Sequence, residues 1–181
     1  MDNTNFIELT NEQRRQLIDA QQVFSAWRPA AHELATMGTL TTLTSKGRQY
    51  VYENHGTVRK SLGRATPELL RKKEQHAARR KALQARVKAL WKRIENMAPV
   101  NQALRLGNMR RIAARILREL DREGLLGSHV IVAGTNALHA YEVAAGVMIS
   151  QEHVATTDAD LIWDISQSLL LAATGIRREG L

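Results

Sequence analysis

The 181-residue chain contains no cysteine. That excludes a disulfide framework and any zinc site built on thiolates, and it suits the reducing cytoplasm, the compartment expected here. Aromatic residues make up 4% of the chain and proline occurs three times, so Leu, Ile, Val and Ala must fill the core. No apolar run approaches the ~20 residues that span a bilayer. The N-terminus lacks the cationic-then-apolar pattern of a secretory signal, so no membrane partner is expected. The six histidines show no ligand spacing, and neither a P-loop lysine signature nor a Gly-x-Ser-x-Gly elbow is present. Acidic residues are in deficit: 18 Asp and Glu face 26 Lys and Arg, for a formal net charge of +8. An excess of that sign favours polyanionic partners, nucleic acid among them.

What the chain does have is helical periodicity and one α/β unit. Residues 1–10 are polar and expected to fray. Thr10, followed by Glu12 and Gln13, reads as a helix start. Leu17, Ile18, Val23, Phe24 and Trp27 then recur at near-helical spacing, and Pro29 is expected to break or kink that helix. The β-branched run 39–44, the turn Ser45-Lys46-Gly47 and the run 49–52 predict a β-hairpin. Asn54-His55-Gly56 reads as a further turn, with a short third strand over 57–60. Tyr50, Tyr52, Arg59 and Lys60 there suit either a nucleic-acid contact or an edge guarded against aggregation.

Thr66-Pro67-Glu68 opens a long helix in the usual way: N-cap, proline at the first position, then an acid at the positive dipole end. Its end is expected near Met97, before Pro99. Leu83, Val87, Leu90, Ile94 and Met97 form a short heptad seam, and the polar Lys73, His76 and Arg80 upstream predict an exposed first half. Ten basic residues between Arg71 and Arg93 make this helix the candidate contact for RNA or DNA. A purely solvated charged face is the plainer account. A third helix is expected after a cap at Asn108, with Ile112, Ile116, Leu117 and Leu120 as its buried stripe and Gly124 as its stop.

The stretch 130–164 carries the chemistry. Val130-Ile131-Val132 is continuous and β-branched, as in a strand buried on both faces. Gly134 permits a sharp turn, and Thr135 is the expected N-cap of a helix over 136–143. Backbone N–H groups at such a helix start attract phosphate. Asp158 and Asp160, at i and i+2, share one face if extended, with Ala159 and Leu161 turned to a core. Two adjacent carboxylates repel unless a cation lies between them, and Mg²⁺ suits such a pair together with substrate phosphates.

This constellation resembles the nucleotidyltransferase fold of the DNA polymerase beta superfamily. Gly-Thr-Asn-Ala-Leu-His-Ala-Tyr-Glu from Gly134, Ala145-Gly146-Val147 and Thr157-Asp158-Ala159-Asp160-Leu161 look closer still to one bacterial branch, whose substrate is unassigned. Tyr50-Val51-Tyr52, Lys60-Ser61-Leu62-Gly63 and Leu104-Arg105-Leu106-Gly107 extend the likeness into the N-terminal half. The resemblance implies Mg²⁺-dependent transfer of a nucleoside monophosphate from an NTP to an acceptor, nucleic acid or protein. Asp158 and Asp160 would be the catalytic and metal-holding residues of a two-ion site. Gly134, Thr135 and Asn136 would bind the phosphates. The superfamily's third carboxylate is not identified: Asp164 lies too close to the pair and Glu179 is nearly terminal, so the chain looks truncated at its C-terminus.

The expected fold class is therefore α+β. A helical, hairpin-bearing region over 1–107 with its basic helix precedes an incomplete nucleotidyltransferase-like domain over 108–181. A short apolar helix over 165–173 would expose its face and favour self-association. The alternative function is a catalytically inactive nucleic-acid- or partner-binding protein.

Overall fold

The computed structural model describes residues 6–107, 109–150 and 160–163. It is a mixed α+β structure, with four helices and seven short strands among those residues. Two compact units emerge: residues 19–99, and residues 1–18 together with 100–181. The limits of these units fall inside two helices. The reason is that the first residues of the chain pair with late ones.

The continuous unit, 19–99, contains most of α1 (Asn11–Thr36), the strands β2 (Thr39–Ser45), β3 (Arg48–His55) and β4 (Val58–Arg64), and most of α2 (Pro67–Ala103). The three strands form an antiparallel meander in the order β2-β3-β4. The expected hairpin is present. Its turn has φ +49° at Lys46 and +72° at Gly47, the two left-handed residues that match the twist of a hairpin. The second loop is shorter than expected: Asn54 and His55 remain in β3, and β4 reaches Arg64. A bulge between Val51 and Tyr52 interrupts the β3–β4 register, and Val51 is fully buried.

Pro67 opens its helix as expected, whereas neither Pro29 nor Pro99 ends one. Pro29 lies inside α1, and Pro99 lies inside α2, which runs to Ala103. Proline removes one N–H and crowds the carbonyl four residues back; around Pro29 buried neighbours offset that cost, whereas Pro99 has no buried side chain beside it. On α1, Val23 and Ala30 are buried on either side of the ring, whereas Ile18 and Phe24 of the expected stripe are about half exposed. Trp27 packs between Phe24 and Trp91, at ring-centroid distances of 5.7 and 5.1 Å.

On α2 the heptad seam is the covered side, with Leu83 buried and Val87, Leu90, Ile94 and Met97 half-buried. Lys73, His76 and Arg80, expected to be exposed, are half-buried too. Lys73 Nζ donates to Thr42 Oγ1 at 2.7 Å, and Arg80 donates to the carbonyls of Met37 and Leu34. The seam continues upstream in polar form. Thr66 caps α2 as expected, accepting from Leu69 N at 3.2 Å. Lys72, bonded to Glu68 one turn away, holds that carboxyl below its ordinary range.

The second unit contains β1 (Phe6–Glu8), the start of α1, α3 (Arg111–Arg122), β5 (Val130–Val132), α4 (Gly134–Ala145), β6 (Val147–Ile149) and β7 (Leu161–Trp163). Residues 6–8, expected to fray, pair antiparallel with β6 instead. Thr10 and Gln13 form a reciprocal capping box: Thr10 N donates to Gln13 Oε1 at 2.9 Å, and Gln13 N to Thr10 Oγ1 at 3.2 Å. Gln13 Nε2 also donates to Leu104 O at 2.9 Å.

The N-cap of α3 is Arg110, without a side-chain cap bond, and Asn108 lies outside the described residues. The buried side of α3 is Ala113, with Leu117 and Leu120 half-covered. Ile112 is 73% and Ile116 40% exposed. The expected stripe is therefore rotated by about one residue. Ile112 and Ile116, with Arg115, Glu119, Leu120 and Glu123, line an open groove of about 510 Å³. The strand β5 is not buried on both faces either. Among the described residues it pairs antiparallel with β7, with one further bridge from Val130 to Leu126, and Val130 is buried while Ile131 is 56% exposed. Residues 165–173, the expected apolar helix, lie outside the described residues. Among the described residues no helix is long and apolar enough to cross a membrane.

Candidate nucleotide site

The turn from β5 into α4 places the site. Ala133 is the N-cap in extended conformation, with φ −122° and ψ −174°, and carries no side-chain cap bond. Gly134 follows at φ +60°, in the left-handed region where a Cβ costs about 1–2 kcal/mol. Thr135 is thus not the N-cap. It sits in the first helical turn, where its Oγ1 is buried and has no hydrogen-bond partner among the described residues.

The pairing of β5 with β7 brings Asp160 to this turn. Val132 pairs with Leu161, and one rung further Ala133 N donates to Asp160 O at 2.9 Å. The Asp160 carboxylate then lies over Gly134. A Cβ at position 134 would overlap Asp160 Oδ2 and stand 2.9 Å from its Cγ. The close approach and the positive φ together demand glycine. Asp160 itself is exposed. It stands just ahead of β7 rather than within a strand, and Leu161 is 39% exposed instead of facing a core. Asp158 lies outside the described residues. Of the five residues singled out by sequence, four are described: Gly134 and Asp160 are brought into contact, Thr135 follows them, and Asn136 is 5% exposed.

The first-turn N–H groups of a 12-residue helix lack intrahelical acceptors and carry the positive dipole end. Beside them stands an exposed carboxylate. An anion held by the N–H groups and a cation held by the carboxylate can occupy such a place together. Among the described residues no three His, Asp or Glu side chains converge on one cation position.

One turn along the same face, Thr135, His139 and Glu142 follow at i, i+4 and i+7. His139 Nδ1 lies 2.9 Å from Glu142 Oε2, and the other Glu142 oxygen accepts from Ile149 N at 2.8 Å. Their side chains are only 16% and 18% exposed, so this is not the surface pair the spacing suggests. Glu142 ties α4 to β6. The i, i+3 spacing was visible, but the backbone partner at 149 was not. Glu142→Ala is expected to lower stability by about 2 kcal/mol, within the range for hydrogen bonds to a charged group. Urea unfolding measures it, and Glu142→Gln, which keeps an acceptor, should lose less.

A strand, a glycine turn, a helix N-terminus and a carboxylate just ahead of the neighbouring strand make up this α/β unit. Residues 111–181 match the family model described as Nucleotidyltransferase. Over this segment, which contains Gly134 and Asp160, the chain is similar to that family. No curated protein and no solved structure matches the chain.

Proposed function

We propose that the protein transfers a nucleoside monophosphate from an NTP to an acceptor hydroxyl in a Mg²⁺-dependent reaction. The acceptor oxygen bonds to the α-phosphorus, the bond from that phosphorus to the bridging oxygen breaks, pyrophosphate leaves, and the hydroxyl proton passes to solvent. The observation that carries this reading is the Asp160 carboxylate lying over Gly134 at the start of α4. Backbone N–H groups of Gly134, Thr135 and Asn136 would hold phosphate oxygens. Since the Asn136 side chain is buried, its part in binding is confined to its main chain.

Asp160, with Asp158 two residues earlier, would hold Mg²⁺, whose chemistry is to neutralise charge on the triphosphate and on the departing pyrophosphate. Chemistry of this kind depends mainly on positioning and charge neutralisation, so a small number of residues suffices. The cytoplasm is the expected setting, in keeping with a chain that has no cysteine.

Calorimetry with each NTP, with and without Mg²⁺, tests the reading. Wild type should bind at least one NTP only when the metal is present. Asp158→Asn and Asp160→Asn should each weaken that binding and any turnover by more than about 100-fold, as expected for loss of a metal ligand, with the far-ultraviolet circular dichroism unchanged. A wild-type protein that binds no NTP in a metal-dependent way refutes the proposal.

A further inference from the structure

The chain's positive charge is not spread evenly. The continuous unit, 19–99, holds 16 of the 26 Lys and Arg and six of the 18 Asp and Glu, a formal charge of +10. The remaining 100 residues carry −2. A net charge of +8 for the whole therefore understates one half and hides the sign of the other.

Within that unit the charge is concentrated on α2. From Gln75 to Ile94 no acidic residue occurs, a length of about 30 Å at 1.5 Å per residue. The seam through Leu83, Val87, Leu90 and Ile94 is the covered side of the helix. Arg79, Lys81, Arg86, Lys88, Lys92 and Arg93 are all exposed. Lys72, Arg79, Arg86 and Arg93 recur every seven residues, the spacing that keeps them on one flank of a heptad seam. Lys81 and Lys88 repeat at the same interval on the other flank. Arg79 is paired with Glu33 at 2.6 Å. Among the described residues the other five have no acidic partner. Between them the exposed residues are Ala78, Ala82, Gln84, Ala85 and Ala89, mostly small side chains that let a bulky polymer approach the helix closely.

We propose that the outward face of α2 from Arg79 to Arg93 binds the phosphate backbone of duplex nucleic acid. The face excludes two other polyanions by composition. Lying on an anionic membrane requires bulky apolar side chains beside the basic ones, and the exposed positions between them here are alanine and Gln84. Binding single strands uses exposed aromatic platforms, and the one aromatic on this stretch, Trp91, is half-covered and packs on Trp27. A duplex presents about one charge per 1.7 Å of axis and releases counterions when Lys and Arg neutralise it. A row of five basic side chains without acidic partners, from Lys81 to Arg93 and about 18 Å long, matches that chemistry. Contacts from these side chains to phosphates position the duplex without reading its bases, so binding through them is independent of sequence. This inference does not rest on the reading of the Gly134–Asp160 site.

The test is fluorescence anisotropy with a labelled 24-base-pair duplex of mixed sequence, in DNA and RNA versions, from 50 to 300 mM KCl. Wild type should bind both, with affinity falling steeply with salt. The variant Arg86→Gln/Lys88→Gln/Lys92→Gln/Arg93→Gln should bind more than about 10-fold more weakly at 50 mM. The slope of log affinity against log salt should be shallower by about 3–4, at ~0.9 per phosphate contact on B-DNA. Arg15→Gln, outside this unit, should leave the slope unchanged. All substituted positions are exposed, and unchanged circular dichroism confirms that the variants fold. A salt-independent affinity, an unaffected quadruple variant, equal displacement of the duplex by polyglutamate, or tighter binding to single strands or to vesicles of anionic lipid would each overturn the proposal. Metal-dependent NTP binding by the quadruple variant should equal that of wild type, so the two proposals fail separately.

Discussion

Gly134→Ala is expected to destabilise the protein by about 2–4 kcal/mol and to remove metal-dependent NTP binding. Two costs add. An alanine at φ +60° carries about 1–2 kcal/mol of left-handed strain. Its Cβ would also occupy the place of the Asp160 carboxylate, with Asp160 Cγ and Cβ only 2.9 and 3.1 Å away. The exposed carboxylate can rotate aside about χ1 and leave its place over the turn, but the Asp160 Cβ, held with the backbone that Ala133 N fixes, remains in close contact. The two costs separate in a double-mutant cycle. Asp160→Gly removes the overlap but not the strain, so Gly134→Ala should cost only about 1–2 kcal/mol in that background. Urea unfolding of the four proteins measures the cycle. Equal costs in both backgrounds would mean that the carboxylate does not lie over the glycine.

The second large effect belongs to the aromatic cluster of the continuous unit. Trp27→Ala is expected to cost about 3–5 kcal/mol, the usual range for removing a large aromatic from a packed site. Trp27 touches both Phe24 and Trp91, and it lies two residues before Pro29, where α1 lacks a hydrogen bond. Losing its packing takes away what holds the helix across the proline. Trp27→Phe should recover part of the loss. Because Trp27 Nε1 is buried without a hydrogen-bond partner among the described residues, phenylalanine forfeits area but no bond. Urea midpoints and the near-ultraviolet circular dichroism of the cluster distinguish the two variants.

Local signals were legible in the sequence. The capping box at Thr10 and Gln13, the cap at Thr66 and the hairpin turn at Lys46-Gly47 each depend on residues within three or four positions. Pro29 misled because its local cost is outweighed by packing between distant side chains such as Trp27 and Trp91. At the candidate site the glycine turn and Asp160 were both identifiable as residue types. Their meeting was expected only through the family resemblance, since it depends on pairing β5 with a strand some thirty residues later. The start of α4 was misplaced for a related reason. Thr135 is a good capping residue in isolation, but a left-handed Gly134 already turns the chain, and Ala133 takes the cap position. The half-exposed β5 departs from the continuous β-branched pattern, which cannot say how many neighbours a strand has.

The pairing of Phe6–Glu8 with Val147–Ile149 has a consequence for synthesis. One unit is uninterrupted in the chain, whereas the other is split around it. On a ribosome adding roughly 5–20 residues per second, the meander and its two helices are complete while β6 has yet to be made. Three early residues must therefore wait, unpaired, for a strand about 140 positions downstream. Closing so long a loop costs entropy, so the uninterrupted unit, 19–99, is the part equipped to fold first and the split unit is completed afterwards.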